Sequence, residues 1–165
     1  MLYQLFQDAL FSAIAAIGFA CASNPPRRAY LYCGIIAAAG HASRYMMLQS
    51  DSVSSGFLLF ATATAALLIG VLAVISAPLA KVPAETYLYP ALLPMIPGMY
   101  AYRMFGALVM LLSDSGKTEF YHNFYLFASQ GLMFFAILLV MAVGATAPIF
   151  LFKRLSFQAT RRDLQ

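Results

Sequence analysis

The chain has 165 residues, of which 62% are apolar and only 10% charged, and its mean hydropathy is +0.79. That leaves too little polar surface to cover a soluble domain, so a lipid bilayer is the solvent for most of the chain. The net charge of +4 sits mainly in short loops between apolar segments, and a nucleic-acid partner is not needed to explain it.

A membrane span needs about 20 largely apolar residues, and five segments qualify: 2–22, 29–49, 56–77, 87–112 and 124–152. The first ends in "ACAS", which resembles a signal-peptide cleavage site. However, no Lys or Arg precedes Arg27 and the apolar run is too long, so it is expected to stay in the mature protein as a helix. Asp8, one turn after Gln4, lies near the outer end of this span, either solvated or paired with an arginine. Cys21 and Cys33 show no CxxC spacing and read as small buried residues; no metal site is expected.

The second span contains "IIAAAGHASRYMML". His41 and Arg44 are three residues apart and share a helical face. An unpaired arginine in hydrocarbon costs roughly 2.5–3.5 kcal/mol even on a lenient scale, so Arg44 either snorkels to the outer interface or faces a polar cavity. His41, near mid-span, argues for the cavity. Ser43 and His41 are the one nucleophile and base close in sequence, but two positions apart on a helix they point in different directions. No GxSxG, HExxH, Walker loop or paired-carboxylate pattern is present, and no catalytic residue is expected.

Small residues recur at four-residue spacing in the first three spans, as at Ala9, Ala13, Ala16 and Ala20, at Gly34 and Ala38, and at Thr62, Ala66 and Gly70. Such stripes let helix backbones approach closely in lipid. The fourth span carries "YPALLPMIPGMYAYRMF". Pro90, Pro94 and Pro97 each remove a helical hydrogen bond, and Gly98 opens backbone angles closed to other residues. An ordinary helix cannot continue through PxxPG, so the span is expected to be broken there and to line a cavity, because freed carbonyls must not meet lipid. A second half-helix starting near Met99 would aim its positive end into the membrane, with Tyr100, Tyr102 and Arg103 close by, as a carboxylate would need to leave water. His41 and Arg44 lie at depths comparable with Gly98 and Arg103, which suggests one shared site. In the last span His122 reads as interfacial, while Gln130, at about one-third depth, is a secondary candidate for the cavity. Residues 153–165 form a short basic tail suited to anionic lipid.

Asn24-Pro25-Pro26, the Ser/Asp run 50–55, Pro78 with Pro83, and Asp114-Ser115-Gly116 mark short connections, so residues 1–152 read as one all-α bundle. Alternate connections hold seven Lys or Arg residues on one side and one on the other. This distribution predicts five spans, with the N-terminus outside and the C-terminus in the cytoplasm.

"AAIGFACASNPPRRAYLYCGIIAAAGHASR" together with "LPMIPGMYAY" resembles the threonine/serine exporter family, and most closely the small YjjB-like subunit of its split, two-chain members. Two patterns carry the likeness. The first is GH-x-SR, met by Gly40, His41, Ser43 and Arg44; the second is P-x-x-PG-x-x-x-Y, met by Pro94, Pro97, Gly98 and Tyr102. Arg103 matches only some members. The resemblance implies export of small carboxylate-bearing metabolites, threonine and serine or a dicarboxylate such as succinate, across the bacterial inner membrane. It also implies a YjjP-like membrane subunit that supplies the first half of the exporter. An odd number of spans per half would orient two such halves oppositely, as an inverted repeat. No cofactor is expected. Proton coupling is, because His41 is the one mid-span group whose ordinary pKa lies near neutrality. The competing reading is a non-transporting scaffold subunit of a membrane complex.

Overall fold

The computed structural model describes residues 2–49, 54–113 and 117–152, and every element among them is helical. The basic tail at 153–165 lies outside the described residues. In chain order the elements are α1 (Leu2–Ser23), α2 (Arg27–Met47), α3 (Ser55–Ala80), α4 (Glu85–Leu92), a 3-10 turn (Leu93–Met95), α5 (Gly98–Leu112) and α6 (Lys117–Leu151). By length and apolarity α1, α3 and α6 are able to cross a membrane, and a fourth crossing arises if α4, the 3-10 turn and α5 count as one span. The helix α2, with Arg27, Arg28 and Arg44 among its 21 residues, is not in this set.

Local chemistry fixes the helix ends. Asn24 takes a left-handed conformation (φ 45°) after α1, and Pro25 and Pro26 follow where a missing amide hydrogen costs nothing, so the chain turns and restarts at Arg27. Ser54 caps α3 by accepting a hydrogen bond from the Phe57 amide at 3.2 Å. At its other end Lys81 is left-handed (φ 56°), and the Val82 amide bonds back to the Ala77 carbonyl. That is the ordinary way to finish a helix, although glycine more often fills the left-handed position.

The chain divides into two compact units, residues 1–95 with 140–165, and residues 96–139. In the first unit α1 packs along α2, α2 also meets α3 and α4, and α4 touches α1 and α3. Small residues set these distances. A Cβ on Gly34 would lie 3.1 Å from Ile17 Cδ1 of α1, and one on Gly40 would overlap the Ile69 side chain of α3. One on Gly70 would strike the Ala145 carbonyl oxygen of α6, and one on Gly144 would come within 2.9 Å of the Ala63 carbonyl. The crossing of α3 and α6 therefore rests on a glycine from each helix, and no water-driven force would replace that packing in lipid. The expected stripe Thr62, Ala66 and Gly70 is fully buried. On α1 the opposite face, with Leu2, Tyr3, Phe6, Leu10, Phe11 and Ile14, is exposed.

In the second unit Met104 and Ala107 of α5 are buried, and Gly131 of α6 admits the Met104 side chain, whose sulfur would lie 3.0 Å from a Cβ placed there.

Candidate functional site

Helices α1 and α2 run antiparallel, and their contact holds two polar ties one turn apart. At one the Tyr45 hydroxyl donates to Gln4 Oε1 at 3.0 Å. Four residues along each helix from there, His41 Nδ1 lies 3.7 Å from Asp8 Oδ2. This is charge-pair range, slightly too long for a direct hydrogen bond. The sequence left Asp8 either solvated or paired with an arginine; the structure adds a histidine on the next helix as a facing group, with the Asp8 side chain still 39% exposed.

His41 is 9% exposed. Its ring stands between two environments, with Nδ1 toward Asp8 and Nε2 buried without a hydrogen-bond partner. A buried polar atom without a partner costs about 1–3 kcal/mol, so such an atom calls for an explanation. Arg44 follows one turn later on α2 and is half-buried. Ser43, between them, donates its hydroxyl to the Gly40 carbonyl at 2.7 Å, which commits that hydrogen to its own helix. Pro94 is half-buried in the 3-10 turn, an element that touches α1.

The remaining predicted site residues belong to the second unit. The Gly98 amide bonds to the Ile96 carbonyl at 2.8 Å across Pro97, whose φ of −79° and ψ of 67° define an inverse γ-turn. The Pro97 carbonyl then accepts from Tyr100 at 3.1 Å and Ala101 at 3.4 Å, so α5 begins with its own first turn bonded. Gly98, Tyr102 and Arg103 are exposed. Gln130, on α6, is half-buried, and its Oε1 is buried without a partner.

Two features escaped the sequence. Tyr87 of α4 is fully buried against Tyr32, with ring centroids 5.8 Å apart, and its hydroxyl has no hydrogen-bond partner. Its position after Glu85 and Thr86, at a helix start, gave no hint of depth. Cys33 is buried as expected and its thiol reaches the Thr86 carbonyl at 3.6 Å, whereas Cys21 is exposed, because it falls on the outer face of α1. A cleft of about 510 Å³ opens between the α1–α2 and α3–α4 connections, lined by Ser23, Pro26, Lys81, Glu85 and Tyr89 among others. No group of three or more metal-ligating side chains occurs among the described residues.

Residues 8–151 match the family model described as "Threonine/Serine exporter, ThrE". A curated protein from Haemophilus influenzae (strain Rd), described as an uncharacterized protein, is 36% identical over 108 residues, covering 66% of this chain and 35% of that relative. The match thus spans about a third of the length of the curated relative. No solved structure matches the chain.

Proposed function

Because this chain belongs to the threonine/serine exporter family, a transporter family, and is a multi-pass membrane protein, we propose that it is one half of a two-chain secondary exporter of small carboxylate-bearing metabolites in the bacterial inner membrane. The observation that carries the reading is His41 Nε2, a buried polar atom with no partner, one turn from Arg44. An imidazole and a guanidinium on one face of a membrane helix suit a carboxylate that must shed its water, and the planar fork of arginine can bind it through two hydrogen bonds.

The full architecture belongs to the same proposal. Five spans follow if α2 crosses between α1, α3 and α4, which cover Cys33, Ile36, Ala37 and Gly40, and if α4 to α5 is one span broken at PxxPG. The distribution of Lys and Arg then puts the N-terminus outside and the C-terminus inside. The inverse γ-turn at Pro97 would be a hinge within that broken span. A YjjP-like membrane subunit would bring the oppositely oriented first half. The greater length of the Haemophilus relative leaves room for both halves in one chain. Proton uptake at His41 would drive the cycle. Threonine, serine and succinate are the substrates to test first.

Efflux of these three labelled compounds from preloaded cells lacking the native pair decides the matter. The chain is expressed alone, with its partner, and with the partner as Arg44→Ala. Efflux that needs both chains and disappears in the variant is the expected result. A stable complex that exports none of the three would make this chain a scaffold subunit instead.

A further inference from the structure

The α1–α2 seam does more than hold two helices together. Gln4 and Asp8 occupy one face of α1, and the groups they meet, Tyr45 and His41, occupy one face of α2 in the reverse order. The Gln4–Tyr45 rung is exposed. One turn inward the Asp8 side chain is still 39% exposed, while that of His41 is 11% exposed. The seam therefore grades from open to closed within a single helical turn, and the group at its closed end presents one nitrogen to Asp8 and the other to the interior.

Among the described residues the carboxylate facing His41 is that of Asp8. Helix α3 carries no ionisable group between Ser55 and Ala80, and the 3-10 turn carries none. On α4, Glu85 is exposed and lies next to Thr86, whose carbonyl faces Cys33. Cys33 is eight residues from His41 along α2, or about 12 Å. Arg44, one turn along the same helix, is a second charge near His41 among the described residues.

We propose that Asp8 is the proton-loading residue of His41, the carboxylate through which the imidazole exchanges protons with the outer aqueous phase. This inference rests on the transport reading and on the N-out orientation given above. In the loading step a proton held on Asp8 Oδ2 passes to His41 Nδ1, directly after a small side-chain rotation or through one water. Asp8 is left a carboxylate and His41 becomes an imidazolium. The reverse step returns the proton to Asp8 and from there to outer water. Throughout, Nε2 stays on the interior side, available to substrate. Loading and binding thus use different atoms of one ring, which lets the outside pH act on the site without opening it to bulk water. Asp8 is a positioning and proton-transfer residue here and makes no contact with the substrate.

The test uses the full chain in lipid nanodiscs, with histidine labelled by ¹⁵N and His122→Gln as background, so that His41 gives the one histidine signal. Asp8→Asn is expected to move the midpoint of the His41 titration by about one pH unit or more, and Asp8→Glu to bring it back toward the wild-type value. In vesicles holding the chain and its partner, the pH profile of labelled threonine, serine or succinate efflux should move with it in Asp8→Asn, while exchange at equal pH on both sides persists. An unmoved midpoint in Asp8→Asn overturns the proposal. So does a loss of equal-pH exchange that Asp8→Glu fails to restore, since that would make Asp8 a purely structural contact. If the midpoint moves as expected but the wild-type pair carries none of the three compounds, the proton exchange stands and the transport reading falls.

Discussion

Replacing Gly70 by alanine adds one methyl group at the α3–α6 crossing, and the structure gives its cost. The new Cβ would run into the Ala145 carbonyl oxygen, and would sit 3.0 Å from Pro148 Cγ and 3.1 Å from the Ala145 carbonyl carbon. None of these atoms belongs to a flexible side-chain end, so the helices must separate. A gap of about 0.5–1 Å forfeits a quarter to a half of each dispersion contact along the crossing, and overpacking of this kind costs about 1–3 kcal/mol. Alanine returns about 1 kcal/mol in helix propensity. Taking the upper part of the overpacking range, because backbone atoms cannot yield, the net loss is about 2 kcal/mol, or a fall in Tm of about 4–8 °C for a chain of this size. Gly106→Ala supplies the control, since nothing lies within 4 Å of a Cβ placed there; its Tm should hold or rise by about 2–4 °C. Thermal melts of the purified chain in detergent, followed by circular dichroism, measure both. The reasoning is refuted if Gly70→Ala melts at or above wild type, or if Gly106→Ala falls by the same amount. A loosened α3 also reaches the candidate site, because the Ile69 side chain fills the space above Gly40, beside His41.

Three further outcomes bear on function. Arg44→Lys keeps the charge but loses the planar fork, so efflux should fall about tenfold or more while the complex still co-purifies at wild-type yield; unchanged efflux would remove Arg44 from the binding site. His41→Gln retains a polar side chain without a titrating group, and its transport should become nearly flat between about pH 5 and 8. A preserved pH profile in pulse-labelled efflux would end the case for coupling through His41. Pro97→Ala restores an amide hydrogen and frees φ at the inverse γ-turn. Turnover should drop more than substrate affinity, as for a hinge, and an affinity loss without a rate loss would argue against that role.

Much of this protein was legible in its residues. Composition alone requires lipid as solvent, and the apolar runs 2–22 and 29–49 coincide with helices, Leu2–Ser23 for α1 and Arg27–Met47 for α2, although α2 is not apolar enough to count as a span by itself and α6 begins at Lys117, ahead of the expected 124. The placing of His41 and Arg44 on one face was equally secure, because i and i+3 are neighbours on any α-helix. These are local properties, fixed by the geometry of a single helix and the energy of moving each side chain into hydrocarbon.

What the sequence left open are relations between helices. Asp8 was expected in water or beside an arginine, and its carboxylate also faces His41, because the antiparallel register of α1 against α2 puts position 8 opposite position 41, and Gly34 receives Ile17 along the same contact. Ser43, a member of the same motif as His41, spends its hydroxyl on the Gly40 carbonyl. Gly70 belonged to an expected packing stripe, but Gly144 also proved to be a contact point while Gly18 and Gly106 face open space, and nothing in the flanking residues of these three separates them. A residue's own helix decides which direction it points, but what stands in that direction depends on close packing among segments distant in sequence. In a bilayer that packing is set by shape rather than by aversion to water, and shape emerges only when the helices are together.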